Sequence, residues 1–183
     1  MKSLVKSSVL AVALLAGGVA HAQSLGPGAD GPMDITADEL EVQNKACVSV
    51  WKGQAEALQG QARLRADIIR AFFQTKPGAT SATGTGACGD LIRIEAEGSV
   101  YYVTSKDQRV RGDNGVYDAG SESVTLTGDV VAVQGQNVLR GTKMVFNTNT
   151  GEGRMLGNST GVNGKNRPRG VFYPSKKQQS AAK

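Results

Sequence analysis

Apolar and polar residues alternate with period two through most of the chain between Met33 and Met155. That alternation is the signature of strands with one buried face and one solvated face. The alternation also repeats. One unit starts at a glycine: Gly53-Gln-Ala-Glu-Ala-Leu, Gly98-Ser-Val-Tyr-Tyr-Val, Gly128-Asp-Val-Val-Ala-Val, and a degraded copy at Gly157. A second unit ends on an Asx or Thr: Ile35-Thr-Ala-Asp38, Leu64-Arg-Ala-Asp67, Val110-Arg-Gly-Asp113 and Leu139-Arg-Gly-Thr142. Asp38 to Gly53, Asp113 to Gly128 and Thr142 to Gly157 are each 15 residues apart, whereas Asp67 to Gly98 is 31. The long interval holds a Gly-, Ser-, Thr- and Pro-rich stretch, which reads as a loop inserted near 75–90.

Aligned on this repeat, like residues fall into columns. Ile35, Leu64, Val110 and Leu139 form one column, and Trp51, Ala96, Leu126 and Met155 another. The opposite phase carries Glu39, Glu41, Lys52, Glu56, Arg65, Arg111, Arg140 and Lys143. The stretch Gln59 to Phe73 would tolerate a helix, but its alternation and its match to the repeat assign it to strand. The repeat therefore predicts an all-β fold of stacked short antiparallel strands in a zigzag, a folded-over, jelly-roll-like sheet. Glycines suit the bends, and Asp67 and Asp113 suit the turns beside them. Inward positions mix small residues (Ala55, Ala57, Ala71, Ala96, Ala132) with large ones (Trp51, Phe73, Tyr102, Phe146). Two interiors fit that mixture: a dry, interdigitated core, or a continuous apolar slot. The first and last rungs, Met33 to Val42 and Met144 to Asn158, are edges at which a second copy could add head to tail.

The N-terminus changes the picture of where the chain works. Lys2 and Lys6 precede an apolar run, and Ala20-His21-Ala22 precedes Gln23, the three-part pattern of a cleaved secretory signal over 1–22. The expected product is an exported, periplasmic protein with a flexible segment at 23–31, a body at 32–162 and a basic, disordered tail at 163–183. His21, the only histidine, leaves with the signal. Formal charge is +5; the signal carries two of these charges and the tail six, so the body is at −3. In an oxidising compartment the two cysteines, Cys47 and Cys88, read as one disulfide or as two buried thiols.

The sequence holds no nucleophile elbow, phosphate loop or metal cluster, and no cofactor is expected. A pair such as Asp113 and Asp118 would be needed for glycosidase chemistry, and both already suit turns.

Three segments resemble the LptA/OstA-like family of periplasmic lipopolysaccharide-transport proteins. They are Pro32-Met-Asp-Ile-Thr-Ala-Asp-Glu-Leu-Glu, Lys52-Gly-Gln-Ala-Glu-Ala-Leu-Gln-Gly-Gln, and Leu126-Thr-Gly-Asp-Val-Val-Ala-Val-Gln-Gly. The resemblance covers about 32–160. It implies a twisted β-jellyroll whose apolar groove carries the acyl chains of lipid A. It also implies end-to-end stacking between an inner-membrane lipopolysaccharide export complex and an outer-membrane assembly complex. The groove residues it implies are Met33, Ile35, Trp51, Leu64, Val100, Tyr102, Leu126, Val130, Leu139, Met144 and Phe146. The other function considered is a structural or glycan-binding β-solenoid that carries no lipid.

Overall fold

The computed structural model describes residues 31–75, 88–104, 108–158 and 167–173. The expected signal, most of the segment before Pro32, the heart of the inserted loop and the end of the tail lie outside the described residues. Among the described residues ten strands run in sequence: β1 (Asp34–Thr36), β2 (Glu39–Gln43), β3 (Val48–Gln59), β4 (Ala62–Thr75), β5 (Cys88–Val103), β6 (Arg109–Asp118), β7 (Ser123–Gln134), β8 (Asn137–Asn147), β9 (Gly153–Leu156) and β10 (Arg169–Val171). All belong to one antiparallel sheet. Neighbouring central strands are also neighbours in sequence.

The strands are longer than the zigzag suggests, because each repeat boundary is a corner within a strand rather than a turn between strands. The pairing register slips at Lys52/Ala55, Arg65/Ile68, Glu97/Val100, Arg111/Asn114 and Thr127/Val130. Such bulges bend a strand sharply and let one sheet fold over on itself. The repeated Asp and Gly meet at these corners. The backbones of Gly53, Gly98 and Gly128 have φ of 81°, 75° and 105°. A Cβ on those glycines would lie 2.3, 2.1 and 2.1 Å from a carboxylate oxygen of Asp38, Asp67 and Asp113 respectively. Positive φ and this close approach together explain why glycine stands there. Asp67 and Gly98, 31 residues apart in the chain, meet like the pairs that are 15 apart, so the insertion leaves the corner untouched. At the fourth corner Thr142 Oγ1 donates to Asn158 Oδ1 at 3.0 Å.

The corners divide the sheet into two walls. The first wall contains β2, the start of β3, the end of β4, the start of β5 and the matching halves up to β9. The second contains β1, the remaining halves and β10. Each end of the stack is thus finished by two short strands, β1 and β2 on β3, and β9 and β10 on β8. β10 corrects the expectation of a wholly disordered tail from residue 163. Arg169, Gly170 and Val171 pair with Arg140, Leu139 and Val138, because the edge of β8 offers unpaired backbone groups there.

Cys47 and Cys88 form a disulfide. Cys47 lies in the turn between β2 and β3, and Cys88 opens β5, opposite Thr75 of β4. The bond therefore crosses over β4 at the outer end of the first wall and ties the base of the insertion to that turn. Phe73 N donates to Cys47 O at 2.9 Å, which seats the turn on β4.

Candidate functional site: an apolar gap between two walls

Side chains paired directly across strands share a face, so the register reads out the lining. On the second wall the inner row runs Ile35, Ala57, Leu64, Tyr102, Val110, Ala132 and Leu139. On the first wall two inner rows run Trp51, Ile69, Ala96, Gly115, Leu126, Met144 and Met155, then Ala71, Ile94, Tyr117, Val124 and Phe146. These rows are the columns of the sequence repeat. All eleven residues expected to line a groove fall on this one interior: Leu64, Val100, Tyr102, Leu126, Val130, Met144 and Phe146 are buried, and Met33, Ile35, Trp51 and Leu139 are partly buried against them.

The interior differs along its length. In the middle the walls touch. The rings of Tyr102, from the second wall, and Phe146, from the first, stack at 5.7 Å between centroids. Leu64 and Val100 face Ile94, Tyr117 and Val124 around a space of only about 20 Å³. That is room for about one water, and an apolar lining of this kind stays dry. Burial raises the pKa of both Tyr102 and Tyr117 above the usual phenol value; a lesser contribution comes from Tyr117 for the former, and from Glu122 and Asp118 for the latter.

At the β1 end the walls part. A cleft of about 630 Å³ opens there, with Met33, Ile35, Trp51, Phe73 and Leu91 among its lining residues. Its polar members are Asp34, Asp90, Ser49 and the buried Gln59; Gln59 Nε2 donates to Gly31 O at 2.9 Å, and Trp51 Nε1 donates to Ser49 Oγ at 3.2 Å. A second opening of about 270 Å³ lies beside it, under the disulfide, and shares Phe73 and Ser49. Leu91 is the apolar lining residue that sequence patterning missed, beside the polar Ser49, Gln59 and Asp90. The pairing skips Ile92 between Arg93 and Leu91, so the alternation changes phase at that bulge and the sequence shows only Leu-Ile-Arg-Ile.

Asp113 and Asp118 do not converge. Both are exposed on β6, five positions apart, which is roughly 17 Å of extended strand against the 5–10 Å that glycosidases use. Asp113 packs on Gly128 at a corner. Asp118 Oδ1 accepts from the backbone N and the hydroxyl of Ser121 at 2.8 and 2.6 Å, and these bonds hold its carboxyl below the usual range. Among the described residues no group of acids, cysteines and histidines could hold a metal ion.

Outside, the two walls differ in charge. On the first wall opposite charges pair off: Lys52 with Glu41 (3.0 Å) and Glu39 (3.7 Å), Arg70 with Glu97 (2.5 Å), and Arg93 with Glu95 (2.9 Å). The second wall carries more arginine than acid: Arg63 and Arg65 share Glu56 (2.9 and 2.8 Å), Arg111 meets Asp129 (3.4 Å), and Arg109, Arg140 and Arg169 stand on the same face.

Comparison with known proteins adds three findings. Residues 34–152 match a family model described as "LptA/(LptD N-terminal domain) LPS transport protein". An uncharacterized protein of Rhizobium meliloti is 29% identical over 154 residues, covering 84% of this chain and 78% of that protein. The crystal structure of LptH from Pseudomonas aeruginosa, described as the LptA-homologous periplasmic component of a conserved lipopolysaccharide transport device, superposes with a TM-score of 0.62. It is 20% identical and covers 78% of this chain and 96% of LptH, which establishes the likeness of fold.

Proposed function

The chain belongs to the LptA/LptD N-terminal-domain family of lipopolysaccharide transport proteins, and on that premise we propose that it is a periplasmic, non-enzymatic carrier that takes lipid A acyl chains between its two walls. The observation that carries this reading is the apolar inner face that runs unbroken from the open cleft at β1 to the closed middle at Tyr102 and Phe146. Acyl chains enter at Met33, Ile35 and Trp51, and the sugars stay at the rim. Burial supplies the affinity, at about 0.8 kcal/mol per methylene. The aromatic stack in the middle is worth only about 0.5–1.5 kcal/mol beyond its area. One or two buried methylenes offset that, so a loaded chain can part the rings and move inward. The single sheet suits this, because separating its walls flexes corners and breaks no ladder of hydrogen bonds.

Passage between membranes follows from the edges. β2 and β10 are exposed along their whole length. Such strands can extend the sheet to a second copy head to tail, or to the inner-membrane export complex and the outer-membrane assembly complex. The mature protein starts after residue 22 in this reading.

Delipidated protein titrated with fluorescent lipopolysaccharide tests the proposal. Saturable binding, competed by free lipid A and weakened at least tenfold by Phe146→Asp or Leu139→Asp in folded protein, is the expected result. Unchanged affinity in those variants, or competition by free glycan alone, contradicts it and favours a structural or glycan-binding solenoid.

A further inference from the structure

The outer face of the second wall carries two transverse rows set by the strand register. One runs Glu56, Arg65, Tyr101, Arg111, Val131, Arg140 and Arg169 across β3 to β10. The other, two residues along each strand, contains Arg63 and Arg109 between Leu58, Val103 and Val133. Six arginines thus share one face with two carboxylates, Glu56 and, from β1, Asp34. Both acids sit at the β1 end, where Glu56 pairs with Arg63 and Arg65 at 2.9 and 2.8 Å, so the excess of positive charge lies toward Arg109, Arg111, Arg140 and Arg169. Asp129 adds a third carboxylate at the adjoining corner, 3.4 Å from Arg111. The six arginines are exposed. On the first wall the same register gives five acids and five bases. The chain's charge is therefore segregated by wall, although the body as a whole is acidic.

The arginines are spread over the outer surface of the sheet, with a hollow of about 370 Å³ beside Glu56 and Arg65 at the corner. Arginines on alternate strands stand about 10 Å apart, and those two residues apart on one strand about 7 Å. Between them in the register lie Tyr101, Val103, Val131 and Val133, the mixture of basic, aromatic and aliphatic residues found where a protein meets a lipid headgroup layer. β10 adds Arg169 to the same wall as the last member of the row.

We propose that this face docks on an anionic phospholipid surface, with the guanidinium groups on headgroup phosphates. The face lies on the outside of the sheet, opposite the lining of the gap, so docking leaves the gap free and does not depend on what the gap holds. Attraction of about 1 kcal/mol per cation near such a surface corresponds to about fivefold in partition per arginine.

Flotation of the purified protein with vesicles of phosphatidylglycerol and phosphatidylcholine is the test. Binding to phosphatidylglycerol vesicles at low salt, lost with added salt and absent on pure phosphatidylcholine, is expected. The triple variant Arg109→Gln, Arg111→Gln, Arg140→Gln should lose partition on the order of 100-fold, while still taking up lipopolysaccharide. The control Lys52→Gln, Lys143→Gln, Arg154→Gln removes equal charge from the first wall and should lose far less. A second measurement needs no variant. Vesicles should protect Arg109, Arg111 and Arg140 from phenylglyoxal, read by mass spectrometry, and leave Arg93 and Arg154 reactive. Equal loss in both triples, protection on the first wall, or no binding to phosphatidylglycerol overturns the proposal; the last result would turn this face toward an acidic protein.

Discussion

The β1 end of the gap and its middle are built from the same repeat yet are held together differently. In the middle, Ile69, Ile94, Leu126 and Val130 are almost fully buried and the two walls touch through Tyr102 and Phe146. At the β1 end, Trp51, Met33 and Phe73 are only partly buried, and the walls stand apart around a cleft of about 630 Å³. Packing cannot secure a region whose side chains face an opening. The molecule places its disulfide there instead, at the margin of the cleft. A folded sheet can thus keep one part of its interior open by replacing core contacts with a covalent tie at the rim.

The largest expected effect comes from cutting that tie. Closing a loop with a sequence separation of 41 residues is worth about 4 kcal/mol in the chain-entropy model. Cys47→Ala with Cys88→Ala should lose about that much in urea denaturation, and amide exchange should rise first around β2, the start of β3 and the start of β5. Uniform exchange across the sheet would break the comparison. Next, Leu126→Ala should cost about 3 kcal/mol because a dry, touching interior cannot collapse around the void. Met33→Ala, at the opening, should cost less than about 1 kcal/mol. Equal costs would mean that the two regions are packed alike.

A smaller effect separates the regions by pH. The folded-state pKa values of Tyr102 and Tyr117 lie above the unfolded value of 10.0 because burial disfavours the phenolate. Their neutral forms are therefore favoured by the fold. Stability should be full below pH 10 and fall as pH rises toward the folded pKa, with a limiting slope of about 1.4 kcal/mol per pH unit for each group. Replacing both by Phe should flatten the alkaline limb of the denaturation profile; an unchanged limb would mean that the middle does not bury these phenols.

Much of this was legible in the sequence. The columns headed by Ile35, Leu64, Val110 and Leu139, and by Trp51, Ala96, Leu126 and Met155, are the inner rows of the structure, because strand periodicity fixes which face a residue takes. The pairing of each Asp with a Gly downstream was visible as a spacing. Its meaning was not: a carboxylate sitting over a neighbouring strand's glycine is a contact between strands, and spacing alone reads equally well as a turn. Leu91 was hidden by a bulge. β10 was hidden because Arg169-Gly-Val has no alternation of its own and forms only by templating on β8. The charge difference between the walls was also invisible. Arg65, Arg111 and Arg140 were seen in the solvated phase, but their shared wall depends on corners that lie between them and the acids of β2 and β5. Whether the gap is open or closed depended on side chains from opposite walls, Tyr102 and Phe146, which no local pattern relates.

The central claim is that fatty tails reach the inner face. Tyr101 and Tyr102 are adjacent in sequence and point to opposite sides of the sheet, which makes them a matched pair. With a photoreactive phenylalanine at each position in turn, and the protein loaded with lipopolysaccharide, irradiation should give a lipid-mass adduct at position 102 and none at 101. Adducts at both positions, or at 101 alone, would contradict the account.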